Sequence, residues 1–524
     1  MSSKLFAVAD CETDPFKQNR IPAPFAWGYY DGCDYREFTS VSAFVEFVRE
    51  QPVILYAHNG GKFDWHFLLD YLDEYSELMV IAGRVAKFKI GECEFRDSYN
   101  ILPVPLAAYE KDEIDYSIFE PDQRTKPSNW HAIMDYLRSD CLNLYRFVAE
   151  FIGRYGMSLT LAGAAMKQWQ HICDVKAPKT SSSFYNDIKP YYYGGRVECF
   201  KSGIVDTAFK VIDINSAYPH AMKHLHPYGD INSITDKLPN STAYISRSMI
   251  TLSGISRGAL PYPAKEGLCF PNDNVKRQYH VTGWEYLAAM ETGALGPHII
   301  EKVIQFNDSV RFDEYVDTFY AIKENSTKGS PDYIFAKLFL NSLYGKFGAN
   351  PEKYNEYIVV KPHHIAHAEN DGYEHVAFVA DWSLCARPLD DVKQRYYNVA
   401  TAASITGFVR ANLWRAIKQC TGVIYCDTDS IVCQTTGNLP LDAKALGAWD
   451  VEAECNYGAI AGKKLYALRQ TNGKWKTASK GVKLTPDEII QVAQGHAVTY
   501  NPEAPSFSIK RGIRFVPRKI VRSA

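Results

Sequence analysis

Short apolar runs that stop at polar or acidic residues recur along the chain. LFAVAD (5–10), VILYAH (53–58), FKVIDI (209–214) and GVIYCD (422–427) read as buried β-strands. Residues 41–50, 65–76, 132–153 and 332–347 carry apolar positions at helical spacing. Strands interleaved with helices predict a multidomain chain of α/β and α+β class. The polar stretch 174–190, DVKAPKTSSSFYNDIKP, reads as a linker or long loop. Residues 228–275 are rich in Gly, Pro, Ser and Asn and predict an insertion. Residues 349–397 lack a sustained helical period and read as a second insertion, built on a β-hairpin.

Composition narrows the class. With 524 residues, 46% hydrophobic and 14% aromatic, the chain has room for about three or four domains. Its apolar stretches are broken by charges, which predicts no membrane span. In MSSKLFAVADCETD the acids come too early for a signal peptide. Twelve cysteines are scattered without a CxxC pair, against a zinc ribbon or thioredoxin-like site and in keeping with reduced intracellular thiols. A net charge of −2 does not mark a nucleic-acid binder. One basic patch stands out in KRGIRFVPRKIVRSA: Lys510, Arg511, Arg514, Arg518, Lys519 and Arg522. It reads either as a solvated tail or, given the interleaved Phe515, Val516, Ile520 and Val521, as a folded element whose basic face suits a phosphate backbone.

Two sets of carboxylates follow apolar runs. In the first, Asp10 and Glu12 are spaced i, i+2 and share a strand face. Asp64 follows VILYAHN, in HNGGKFD, and Tyr136 and Asp140 are spaced i, i+4 on one helix face. Each feature alone is common at strand ends and helix surfaces. Together, four acids from three segments can hold two divalent cations ~3.5–4 Å apart for phosphodiester hydrolysis, with Tyr136 orienting the attacking water.

In the second set, Phe209, Val211 and Asp213 share a strand face, and Asp213 ends the strand. Ser216 is a plausible cap for a following helix, with the N–H groups of residues 214–217 facing a phosphate and Tyr218 closing on a sugar. An ordinary strand–turn–helix is the plainer alternative. In AKLFLNSLYGKFGANP, Lys337, Asn341 and Tyr344 share one helix face. There an ammonium can pair with a triphosphate, a phenol can lie beside an incoming base, and Gly345 leaves room for a template base; a mixed-polarity surface helix is the alternative. In VIYCDTDSIVC, Asp427 and Asp429 sit at a hairpin tip, where two carboxylates repel unless a cation lies between them. With Asp213 they supply a second two-metal site.

The first set resembles the three exonuclease motifs of 3′–5′ proofreading exonucleases with Asp-Glu-Asp-Asp-Tyr sites. That likeness implies that Asn59, Phe63 and His58 grip a primer end, with Ser98, in RDSYNILP, as a further contact. DINSAYP, KLFLNSLYG and YCDTDS resemble, in order, motifs A, B and C of family B DNA polymerases. YYYGGR, with Tyr192, Gly194 and Gly195, is similar to the YxGG motif that coordinates polymerisation and proofreading. KKLYAL, with Lys464 and Tyr466, is similar to the KxY motif that contacts the primer strand. The long stretches from Asp213 to Lys337 and from Lys337 to Asp427 resemble the protein-primed branch found in small bacteriophages, where two insertions guide a terminal protein and encircle DNA. Lys323 matches a second triphosphate-binding fingers lysine of those enzymes.

The resemblance implies an RNase H-like exonuclease domain over 1–165 and a right-hand polymerase. Its parts are palm over 166–229 and 398–475, fingers over 313–348, thumb over 476–524, and insertions at 230–312 and 349–397. It implies a DNA-templated, strand-displacing DNA polymerase with proofreading and two Mg²⁺ or Mn²⁺ per site, held by Asp10, Glu12, Asp64 and Asp140 and by Asp213 and Asp429. The implied partners are primer-template DNA, dNTPs and a terminal protein. The implied state is a monomer, or a heterodimer with that protein, away from membranes in the cytoplasm of an infected bacterial cell. The alternatives are a family B polymerase that starts without a terminal protein, an exonuclease with a silent polymerase half, and a non-catalytic scaffold.

Overall fold

The run Phe6–Thr13 is a central strand of the amino-terminal sheet, parallel to Ile54–Ala57 and antiparallel to Pro24–Tyr30. Its alternation feeds two cores. Ala7, Ala9 and Cys11 pack with Trp27, Phe44 and Leu55 on one face, while Val8 packs with Leu137, Cys141 and Leu144 on the other. Helix Val41–Val48 covers the first face and the long helix Pro127–Tyr155 the second. The structure is a computed structural model that describes residues 5–106, 112–252, 258–391 and 393–522. The remaining residues, which fall in the expected exonuclease, insertion and thumb spans, lie outside the described ones.

The second insertion folds as three antiparallel strands, Asn355–Val360, Glu374–Val379 and Trp382–Pro388, with a short helix Ile365–Asn370. Tyr357 pairs with Leu78, so these strands extend the amino-terminal sheet to ten. In a second sheet, of eight strands and within the expected palm, Phe209–Ile214 lies between Ser430–Cys433 and Trp449–Gly462. The buried helix Val399–Gln419 packs on helix Ala217–Met222, just past Asp213, and on the first insertion's helix Gly283–Glu291. That insertion is a four-stranded sheet, from His226–Thr235 to Leu295–Val310. The span expected as fingers holds two packed helices, Asp313–Asn325 and Pro331–Phe347, with Phe319 stacked on Phe339 at 4.7 Å.

Several expectations are corrected. Residues 65–76 are not an α-helix: Asp64–Tyr71 winds as a 3₁₀ segment that buries Trp65, Leu68 and Leu69. The stretch 174–190 is not all linker, because Ser182–Ile188 is a helix capped by Ser181, with Phe184, Tyr185 and Ile188 packed on Tyr396 and Val399. Three expected boundaries cut elements: 165/166 falls inside helix Leu161–Ile172, 229/230 inside strand His226–Thr235, and 475/476 inside strand Trp475–Ser479 of the palm sheet. The basic carboxyl-terminal segment is folded: Arg518–Ile520 pairs with Val498–Tyr500, and Ser506–Ser508 with Gly512–Arg514.

Candidate active sites

At the amino-terminal site, Asp10 and Glu12 leave one strand and Asp140 comes from the long helix. Each offers an oxygen, all within 4.8 Å of one another. Asp64 lines the same cavity, of about 370 Å³, with its oxygens outside that trio. Its carboxylate meets the Cys11 thiol, and burial pushes its pKa up to about 7. Asp64 Oδ1 is buried without a hydrogen-bond partner. Four hard carboxylate oxygen donors around such an atom fit Mg²⁺ or Mn²⁺.

The contacts around these acids refine the expected roles. The Tyr136 hydroxyl lies 3.0 Å from that of Tyr116, a second tyrosine lining the cavity that sequence reasoning missed. His58 and Asn59 line the cavity too, yet both are engaged within the protein. The His58 ring bonds Ser98 Oγ at 3.0 Å and the Val104 carbonyl at 2.9 Å, and Asn59 Oδ1 accepts from Arg84 at 2.6 Å. Ser98 is fully buried, lies against the His58 ring and donates to the Ala57 carbonyl. Phe63 joins Phe16, Phe67 and Phe507 in an aromatic wall. Phe507 and Pro505 reach this cavity from the far end of the chain, with no local sequence signal to announce them.

In the palm, Asp213 pairs in register with Ser430 on one side and Asp450 on the other. Burial, then Asp429 and Glu452, push its pKa up to about 7; burial, then Asp427, push Asp429 up to about 6. Asp427 is held differently: both its oxygens meet Lys464 Nζ, at 2.6 and 2.7 Å, and Thr428 and Tyr425 donate to them. The lysines near Asp213 and Asp429 do not offset burial and the neighbouring acids, and a pair of hard oxygen ligands so disfavoured in its ionised form fits a divalent cation. Lys464, expected on the primer strand, is tied to Asp427, and Tyr466 packs its ring against Tyr425 at 5.2 Å. Glu452, paired with Lys476, adds a further acid that the motifs did not single out.

Tyr218 and Tyr344 stack face to face, 4.3 Å apart with 4° between planes, bringing motifs A and B together. Lys323 Nζ reaches Ser216 Oγ at 3.4 Å. Ser216 occupies the helix cap position at φ 55° without a capping bond from its side chain. The expected phosphate cradle is partly closed, because Ile214 N–H donates to the Asp429 carbonyl and Asn215 N–H to that of Ala448. Lys337 and Asn341 instead line a groove shared with Pro103, Val104 and Lys328. Tyr192 packs over Gly348 at the end of the fingers helix, and Gly194 faces open space. Gly195 is a packing glycine: a Cβ there would stand 2.7 Å from Thr428 Cγ2, in the motif C turn.

An acidic site on a palm sheet flanked by paired fingers helices, joined to a sheet domain with its own acidic site, defines a right-hand polymerase with an attached exonuclease domain. Comparison with known proteins agrees. The family DNA polymerase type B, organellar and viral, matches residues 106–420. The DNA-directed DNA polymerase of Enterobacteria phage PRD1 is 37% identical over 553 residues, covering 98% of this chain and 97% of that one. The DNA polymerase of Bacillus phage M2 is 24% identical over 563 residues, covering 93% and 90%. In fold, the chain matches Phi29 DNA polymerase complexed with primer-template DNA and incoming nucleotide substrates, with a TM-score of 0.76, 19% identity and full coverage of both chains. The chain belongs to the type B DNA polymerases of organelles and viruses, and is a DNA-directed DNA polymerase. Polymerases of this family use divalent metal ions. No helix among the described residues is long and apolar enough to cross a membrane.

Proposed function

We propose that the chain copies a phage genome by protein-primed, strand-displacing synthesis in an infected bacterial cell, and proofreads at its amino-terminal site. The observation that carries the catalytic reading is the pair Asp213 and Asp429, both pushed up by burial and by neighbouring carboxylates, near a lysine and two stacked tyrosines. Divalent cations held by Asp213 and Asp429 would supply Lewis acidity to the attacking hydroxyl and the triphosphate. Lys323 binds phosphate oxygens, and Lys337 and Asn341 act from their groove as the fingers move over the nucleotide. Tyr218 blocks a ribose 2′-hydroxyl, and Tyr344 flanks the base. Lys464 keeps Asp427 in place and Tyr466 supports the primer strand, while Tyr192, Gly194 and Gly195 pass the primer end between the two sites. At the other site, Asp10, Glu12, Asp64 and Asp140 would hold divalent cations that supply Lewis acidity, Tyr136 orients water, and Asn59, Phe63 and His58 steady the frayed end.

In priming, the attacking hydroxyl comes from a Ser, Thr or Tyr of a separate terminal protein that the first insertion helps to guide. The pairing of the second insertion with the exonuclease sheet supports a closed path for template: a cavity of about 720 Å³ runs between Met79, Asn100, Leu161, Gly345 and Tyr354. The test uses a 5′-labelled primer on a short template, with Mg²⁺. Asp213→Asn should abolish extension and spare shortening, and Asp10→Ala should do the reverse. Loss of both activities in either variant, with the fold intact, contradicts two separate sites.

A further inference from the structure

The first insertion is fastened to the palm's catalytic turn by two buried arginines. Arg410, on the helix behind the palm sheet, is 1% exposed. Its Nε donates to Glu285 Oε1 at 2.7 Å, and its Nη1 donates to the carbonyls of Tyr193 and Gly194, at 2.7 and 2.8 Å. Glu285 is 2% exposed and belongs to the first insertion. Its other oxygen accepts from the N–H and hydroxyl of Thr282, at 3.0 and 2.9 Å. Helix Val399–Gln419 passes Thr282 so closely that a side chain at Gly407 would collide with it. On the far side of the same loop, Arg196 donates to the insertion's Gly258 carbonyl at 2.9 Å and lies over the Phe270 ring. The loop in between is the one the catalytic turn rests on: Gly195 packs on Thr428, and Thr428 N–H donates to the Arg196 carbonyl at 2.7 Å.

We propose that Glu285, carried by the first insertion, is a positioning residue for polymerisation, setting the Asp427–Asp429 turn through Arg410 and the Tyr193–Gly194 carbonyls. A guanidinium fork holds a carboxylate and two carbonyls in one fixed geometry. A shift of Glu285 must therefore move the loop or leave Arg410 with an unmatched buried charge. Whatever docks on the first insertion would act on the polymerase site by this route, while the exonuclease acids lie outside it. The inference rests on the palm assignment above.

The experiment uses the full chain on primer-template with dNTPs over a Mg²⁺ titration, with degradation of a single-stranded oligonucleotide as the control for an intact fold. Glu285→Gln is expected to slow extension about tenfold and to move half-saturation to higher Mg²⁺. Single-strand degradation should hold at the wild-type rate, and Glu285→Asp should restore part of the loss. A merely structural pair would lower both activities together or leave the Mg²⁺ dependence unmoved, and either result overturns the proposal. Should Glu285→Gln fail to fold, Arg410→Lys, which keeps both charges but loses the fork, is read by the same criteria. If Asp429→Ala still extends primers, the palm assignment fails, and that outcome is distinct from a negative result at Glu285.

Discussion

His226 is fully buried with both ring nitrogens engaged, by Ser404 Oγ at 2.9 Å and by the Ala221 carbonyl at 2.7 Å. Burial holds its pKa down to about 3, against about 6.5 when unfolded. Between those values the unfolded chain binds a proton that the native one refuses. Its stabilising contribution is thus complete above about pH 6.5 and is lost as the pH falls, by roughly 2 kcal/mol at pH 5. Urea melts of wild type and His226→Gln at pH 7 and pH 5 should show the gap between them narrowing by that amount; a constant gap contradicts a neutral buried ring. Tyr218→Val opens the sugar side of the stacked pair and should raise ribonucleotide incorporation by about tenfold or more. An unchanged ratio of ribo- to deoxyribonucleotide use removes Tyr218 from that role. Residues of this kind differ in how far sequence reveals them. Asp10, Glu12, Asp213, Asp427 and Asp429 border apolar runs whose period fixes their placement. Tyr116, Glu452 and Phe507 reach their sites only through tertiary packing, so no local pattern marks them.

Among the elements, the motif C hairpin shows strain put to use. Thr428, a β-branched residue, sits at φ 61°, a conformation costing about 1–3 kcal/mol. It is held there by the Arg196 carbonyl and by contact with Gly195. Gly195→Ala places a methyl group against Thr428 and should slow extension about tenfold or more while single-strand degradation continues, as read on labelled oligonucleotides. Equal loss of both would show that the turn does not depend on this contact. The strands were legible because their apolar runs end in polar residues. The helix Ser182–Ile188 was not, because Phe184, Tyr185 and Ile188 are diluted by Ser, Asn and Asp that serve as cap and solvent face. The segment Asp64–Tyr71 has helical spacing of buried residues but winds more tightly, a choice that spacing does not reveal.

Across the whole molecule, distant segments close on one another. The second insertion completes the exonuclease sheet through Tyr357 and Leu78, and the carboxyl-terminal hairpin lays Phe507 against Phe63 and His66. Sequence marked the order of the parts through the order of the motifs. It did not reveal these long-range seams, since strand pairing at a sheet edge depends on backbone groups common to all sequences. Under the proposed function the seams bear on activity, because a chain closed around its template would displace a strand without a separate clamp. The most direct measurement is extension of a 5′-labelled primer on a small circular template with Mg²⁺ and four dNTPs, beside Asp429→Ala and Asp64→Ala. Products longer than the circle that require Asp429, with primer shortening in the absence of dNTPs that requires Asp64, are the predicted result. Shortening without any extension, or extension that halts on meeting the primer's own 5′ end, would contradict it.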